Sequence, residues 1–386
     1  MNILFDLYTT QFFIGGGSEY IRRVFYALLD EIKEKHSEIH IVALIDTSLG
    51  KFAYKDLSPE SLKENVIDIG DLKDSSLKEI LVTKCIDKVF IGCAQYWGSF
   101  DIHNLNCPVV CVIHDLCNEE YDKNKIDEYV HLNNFKFLLR YKFHMLRHGK
   151  KHLKNIPLII EQAKINPNFH IITVSNYSKD SIAYNFDYSS DKIEVLYSPE
   201  RINIYKEEID TPLLQKLLDS KKRYYLMLNA NREMKNPNKA FHAFERYQEL
   251  SGKDIYLVTT GCKESKFKRH IALPYLSDSD LVQVMKHCYA LLFPSYFEGF
   301  GYPPLEAMSY GKPVLASNVT SMPEVLGEAP VYFSPFYETE IFRALSKLTE
   351  DNYECFVEKS KSQYAIIKKR QEVDLTRLIS LILCGI

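Results

Sequence analysis

The residues best suited to chemistry lie between Leu292 and Val314, in the segment LFPSYFEGFGYPPLEAMSYGKPV. A strand ending at Pro294-Ser295 leads into a loop carrying Glu298, Gly299, Phe300 and Gly301. A helix is expected near Pro303-Pro304, since first-turn N–H groups have no intrahelical partner for proline to remove. Glycine-flexible backbone at a helix start offers N–H groups to an anionic oxygen. Glu298 and Glu306 flank that point. Two carboxylates there would repel a phosphate, so they read as acceptors for sugar hydroxyls. Two weaker signals lie upstream. Gly15-Gly16-Gly17 separates a strand from a helix opened by Ser18, which would let a ligand approach backbone closely. Cys111–Asp115, CVIHD, ends a strand where open α/β sheets bind ligands, and His114 there could hydrogen-bond a substrate hydroxyl near neutral pH. A plain strand-to-helix turn and a structural histidine remain open alternatives at these two places.

The elements that must carry these loops follow from apolar patterning. Short runs rich in Val, Ile, Leu and Tyr alternate with amphipathic stretches of helical length, the signature of parallel α/β layers. Strands are expected at Ile3–Tyr8, His40–Ile45, Lys88–Ile91, Val109–Ile113 and His170–Val174. A second set is expected at Tyr224–Asn229, Ile255–Thr260, Ala290–Pro294, Val314–Ala316 and Val331–Phe333. Helices are expected at Ser18–Lys35, Asn238–Gln248, Asp280–His287 and Phe336–Leu348, and a docked C-terminal helix near Leu375–Leu383. Two doubly wound domains meeting near Ser198-Pro199 are the natural reading, and 386 residues suit two domains.

Composition narrows the function classes. Apolar residues make up 46% and charged residues 26%, which excludes wholesale disorder. Lys+Arg 48 against Asp+Glu 51 gives a net charge of -3, which argues against a general nucleic-acid-binding surface. No apolar run is long enough to span a bilayer, and MNILFDLYTT lacks the pattern of a signal peptide, so a cytoplasmic protein is expected. The nine cysteines then read as reduced thiols. Cys107, Cys111, His114 and Cys117 match no standard zinc spacing, and strand alternation would send Cys111 and His114 to opposite faces. Asp278-Ser279-Asp280 reads as helix capping rather than a metal site. The fingerprint G-x-G-x-x-G of a nicotinamide enzyme is absent.

The block Pro294–Ala307 resembles the Pro-Ser-x-x-Glu-Gly-Phe-Gly-x-Pro-x-x-Glu-Ala signature of the retaining nucleotide-sugar glycosyltransferases of the GT-B type, family 4. Gly311–Val314, Pro323–Val325, Thr173–Ser178 and Lys192–Val195 add to the resemblance, which runs from about residue 2 to about residue 370 and is most specific in the second half. It implies two Rossmann-like parallel-sheet domains facing across a cleft. Residues 1–198 would bind the acceptor and 199–371 the nucleotide-sugar, with a helix at about 372–386 packing back on the first. It implies that Glu298 lies against the transferred sugar and that Gly299, Phe300 and Gly301 present backbone to the diphosphate or sugar. Glu306 would hold the ribose, and Lys235 with Arg232 would neutralise the leaving diphosphate. Gly16 and Gly17 would form the donor-facing loop, and His114 would approach the sugar. The family usually has a glycine just after the strand before Arg232, where this chain has Leu228-Asn229-Ala230-Asn231.

The resemblance implies a hexosyltransferase that retains anomeric configuration and needs no cofactor or metal. Its donor would be a UDP- or GDP-linked sugar and its acceptor a glycan or lipid-linked saccharide, as in bacterial cell-surface polysaccharide synthesis. A catalytically silent scaffold partner of an active glycosyltransferase is the alternative. The joint presence of His114, Lys235, Glu298 and Glu306 argues against it.

Phe135–Lys154 holds seven Lys/Arg, three His and no acid, with Lys136, Arg140, His144, Arg147, Lys151 and Lys154 at helical spacing. A solvated surface helix is the plain reading; the sharper one is contact with an anionic membrane face or a phosphorylated acceptor. Replacing Arg140, Arg147 and Lys151 with Glu is expected to reduce binding to anionic liposomes in a flotation assay, and unchanged binding would refute membrane contact.

Overall fold

The computed structural model describes residues 1–11, 15–35, 38–49, 57, 66–68, 77–97, 105, 107–120, 155–201, 209–262 and 267–384. The basic stretch Phe135–Lys154 lies outside them. The described residues fall into two units. One takes those up to Arg201 together with those from Arg370 onward; the other takes Ile209–Lys369.

In the first unit the strands are β1 (Asn2–Asp6), β2 (His40–Ile45), β3 (Val66–Asp68), β4 (Lys88–Ile91), β5 (Val109–Ile113), β6 (Phe169–Thr173) and β7 (Ile193–Val195), in the order β3-β2-β1-β4-β5-β6-β7. All pairings are parallel. Central strands such as β5, VVCVI, are buried throughout, which is why they read as unbroken apolar runs: crossover helices cover both faces of a parallel sheet. The short strands β3 and β7 were not anticipated. Three residues at a sheet edge give too brief an apolar signal.

The second unit holds β8 (Tyr224–Met227), β9 (Tyr256–Thr260), β10 (His270–Leu273), β11 (Ala290–Phe293), β12 (Val314–Ser317) and β13 (Val331–Phe333), again all parallel, in the order β10-β9-β8-β11-β12-β13. Its core joins Tyr225, Leu257, Leu292 and Leu315 to Phe244 and Leu345 from the helices. The helices Pro237–Ser251 and Tyr302–Ser309 both carry proline in the first turn, and the first ends at Gly252 in the left-handed conformation (φ 63°). Ser277, rather than Asp278 or Asp280, caps the helix Asp278–His287: its hydroxyl accepts from the Asp280 N–H at 3.2 Å.

The C-terminal helix is far longer than the apolar tail suggested, running over Glu350–Cys384. In the second unit Gln363 donates to the Val325 carbonyl at 2.9 Å. In the first, Gln371 donates to the Ser198 carbonyl (2.6 Å), Asp374 accepts from the Tyr197 N–H (2.8 Å), and Lys88 Nζ donates to the Leu381 carbonyl (3.0 Å). Among the described residues no helix is long and apolar enough to cross a membrane.

Both sheets reverse strand order once, between β1 and β4 and between β8 and β11, and open α/β sheets bind ligands beyond the carboxyl ends of the strands at such points. Gly92, just after β4, has no room for a side chain. A Cβ there would overlap Ile21 Cγ1 and stand 3.3 Å from Phe90 Cε1. Gly92→Ala is therefore expected to destabilise the first unit by about 1–3 kcal/mol, read as a Tm lowered by several degrees in thermal denaturation.

Candidate functional site

In the first unit the helix Gly16–Lys35 begins inside the glycine loop. Ser18 closes the turn: its hydroxyl accepts from the Gly15 N–H at 2.8 Å and donates to the Gly15 carbonyl at 2.9 Å. Gly16 is exposed and Gly17 half-buried, and Gly17 faces the imidazole of His114, to which an added Cβ would come within 3.9 Å. The structure thus joins two of the loops singled out in the sequence, one after β1 and one after β5.

The His114 ring is fixed from several sides. Nε2 carries the proton and donates it to the Gly92 carbonyl at 3.0 Å, since a carbonyl can only accept. The Tyr20 ring stands edge-on at 4.8 Å. Burial disfavours the imidazolium and pushes the pKa down to about 4, against the opposing pull of the Gly92 carbonyl. At neutral pH His114 is therefore an uncharged ring whose Nδ1 is the acceptor. The polar residues of Thr173–Ser178 hold it in place. Thr173 donates to the Ile113 carbonyl (2.7 Å), Ser178 donates to the His114 carbonyl (3.2 Å), and Ser175 caps the next helix by accepting from the Ser178 N–H (3.1 Å). Asp115 accepts the Cys117 N–H at 3.0 Å and so shapes the turn. Cys111 is fully buried in β5, and among the described residues no group of three or more His, Cys, Asp or Glu is placed to hold a metal ion.

In the second unit Lys235 and Glu298 form an ion pair, one from the turn after β8 and the other from the loop after β11. Their side chains are only 13% and 16% exposed, and Lys235 Nζ also lies 4.6 Å above the centre of the Phe293 ring. A charge pair this sheltered is held because either partner alone would be poorly solvated. Asn236, next to Lys235, locks the two loops together. Its side chain accepts from the Tyr296 hydroxyl (2.7 Å) and donates to the Pro335 carbonyl (2.8 Å), while the Tyr296 N–H donates to the Met234 carbonyl (2.9 Å). The sequence marked Asn236 only as part of a turn; its bridging role depends on residues 60 and 99 positions away.

Asn229 supplies the left-handed backbone at the end of β8 (φ 54°), a conformation asparagine tolerates better than most residues, so the turn forms without glycine. Arg232 opens the same turn with an exposed side chain, its carbonyl accepting from the Lys235 N–H at 3.0 Å. The structure brings Lys235 onto Glu298 and does not bring Arg232 there. Gly299 is half-buried, Phe300 is buried with its ring 5.7 Å from that of Tyr302, and Gly301 precedes the helix Tyr302–Ser309 with φ 91°. Glu306 is half-buried on that helix. Thr320, which the sequence did not single out, and Ser321, which opens the helix Met322–Leu326, bind the backbone of Glu298.

Residues 213–370 match the family model described as glycosyl transferases group 1. The second unit is similar to that family over nearly its whole length. Curated relatives include O-antigen chain mannosyltransferase B of Escherichia coli, 34% identical over 184 residues that make up 43% of this chain and 47% of that protein. The serotype-specific mannosyltransferase WbdA of Escherichia coli is 27% identical over 276 residues, 67% of this chain and 31% of that protein. The chain thus spans less than half the length of these relatives. Among solved structures, WaaG, a glycosyltransferase involved in lipopolysaccharide biosynthesis, matches with a TM-score of 0.67 at 16% identity over 99% of this chain and 100% of that one. Anabaena Alr3699/HepE in complex with UDP-glucose matches with a TM-score of 0.66 at 16% identity, over 99% of each chain. The fold of the chain is GT-B, two Rossmann-like parallel-sheet domains.

Two buried groups give the first unit opposing responses to acid. His114, with its pKa lowered from 6.5 to about 4, contributes stability present above pH 6.5 and lost as pH falls through 4. Asp6, whose pKa burial raises from 3.8 to about 6, contributes stability present below pH 3.8 and lost as pH rises through 6. His114→Gln is expected to flatten the loss of Tm between pH 6.5 and 4, and Asp6→Asn to steepen it, in melting curves recorded across that range.

Proposed function

We propose that the protein is a hexosyltransferase that moves a sugar from a nucleoside-diphosphate-sugar to a glycan or lipid-linked saccharide, with mannose the sugar favoured by the names of its relatives. The observation that carries this reading is the sheltered Lys235–Glu298 pair at the strand-order reversal of the second sheet, inside the segment that matches the family. As the bond from the sugar's anomeric carbon to the diphosphate breaks, negative charge accumulates on the leaving group. Lys235, Arg232 and the backbone N–H groups of the Gly299–Gly301 loop stabilise that charge. Glu298 takes the transferred sugar's hydroxyls, Glu306 the ribose, and the neutral His114 ring accepts a hydrogen bond from the sugar through Nδ1. The acceptor oxygen bonds to the anomeric carbon, its proton passes to a phosphate oxygen of the donor, and configuration is retained. Cationic side chains supply the charge that a metal would otherwise provide. Gly16 and Gly17 present the donor-facing loop, and the protein works in the cytoplasm on the inner face of the membrane.

The ion pair makes the roles of its two members separable. Lys235→Ala and Glu298→Gln are each expected to lower transfer by about 10²-fold or more, the scale of losing one preorganised electrostatic contact. Their effects on nucleoside diphosphate binding should diverge. Lys235→Ala weakens it, whereas Glu298→Gln strengthens or preserves it, because the lysine is released and a negative charge removed. Titrating UDP and GDP by calorimetry, beside a panel of nucleotide-sugars in a thermal-shift assay, tests both and names the donor. Near-wild-type transfer by either variant would refute the assignment.

A further inference from the structure

The turn after β12 carries an unusual backbone. Thr320 has φ 49°, and it is the β-branched residue among the described non-glycine residues with positive φ. A branched Cβ is strongly disfavoured there, so such a conformation persists only where its surroundings impose it. What the conformation achieves is visible in the hydrogen bonds. The Thr320 hydroxyl accepts from the Glu298 N–H at 3.2 Å and donates to the Glu298 carbonyl at 2.9 Å, holding both ends of one residue. Ser321 donates a further hydrogen bond to the same carbonyl at 3.0 Å. Next to them, the Met322 methyl fills the space beside Gly301, where an added Cβ would overlap it. The turn therefore grips the Glu298–Gly301 loop at its first and last residues, without touching the Lys235 ammonium in any hydrogen bond of its own.

We infer that Thr320 is a positioning residue: its strained turn fixes the backbone of Glu298 so that the carboxylate meets the transferred sugar at a set height and angle. This rests on the proposed role of Glu298. A hydroxyl is suited to the task because it can give and accept at once, which neither valine nor alanine can do. Lys235 pairs with the carboxylate itself, so Glu298 is held by an ion pair at its tip and a double hydrogen bond at its backbone.

Glycine separates positioning from stability, since it relaxes the backbone at φ 49° while removing the hydroxyl. Thr320→Gly is expected to keep or raise Tm yet lower kcat by roughly 10²-fold, the scale of a 1 Å misplacement of a reacting group. Thr320→Val should lose kcat to a similar extent. Thr320→Ser, which keeps the hydroxyl, should retain kcat within about threefold. UDP or GDP affinity should fall far less than kcat for all three, because the cationic side chains of Lys235 and Arg232 stay in place for the diphosphate. If Thr320→Gly and Thr320→Val turn over like the wild type, or if kcat falls only in step with Tm, the positioning role is overturned. A wild-type chain that binds neither nucleotide and transfers no sugar would instead overturn the functional reading, and the catalytic use of this turn with it.

Discussion

Parallel strands cannot be joined by tight hairpins; each needs a crossover that returns the chain to the same edge. Every strand of both sheets therefore ends at one edge, and every loop that leaves that edge is free of the next strand's register. Where the strand order reverses, neighbouring loops part in opposite directions and leave backbone and side chains uncovered. Gly17 in the first unit follows from this constraint, with His114 beside it one strand further along, as do Lys235 and Glu298 in the second. The remaining structure serves mainly to hold those loops still.

That holding is done by small polar side chains aimed at backbone. Thr173, Ser175 and Ser178 fasten the end of β5, Asn236 and Tyr296 bind the turn after β8 to the loop after β11, and Thr320 with Ser321 fastens Glu298. Buried backbone needs partners in any case. Here the partners are chosen so that satisfying them also fixes the residues at the sheet edge. The tyrosine excess belongs to the same economy. Tyr224 and Tyr353 are packed in the second unit with hydroxyls donating to the carbonyls of Val284 (2.7 Å) and Tyr289 (2.9 Å), so the rings fill core volume while the oxygens find acceptors.

Much of the fold was legible because its signals are local. Fully buried central strands read as unbroken apolar runs, and prolines in the first turns of Pro237–Ser251 and Tyr302–Ser309 marked helix starts. What escaped was short or distributed. β10, HIAL, is only four residues long and mostly half-buried, and charged residues are scattered through Glu350–Cys384 as far as Arg377, so only its apolar end stood out. Lys235 and Glu298 were each visible as candidates, but their pairing spans 63 positions and depends on the sheet. Thr320 was silent in the sequence because a threonine in a polar turn carries no mark of its backbone angle or of the residue it holds.

The helix Glu350–Cys384 has a consequence for how the molecule is made. Its residues from Arg370 onward belong with the first unit, where Gln371, Asp374 and Leu381 bind Ser198, Tyr197 and Lys88. A ribosome therefore delivers the strands of the first sheet early but withholds the segment that seals its surface until the second sheet has been synthesised in full. At about 5–20 residues per second that interval is on the order of ten seconds or more. The unit that begins first is the one completed last, so the nascent chain must keep an unsealed apolar surface soluble while its neighbour folds.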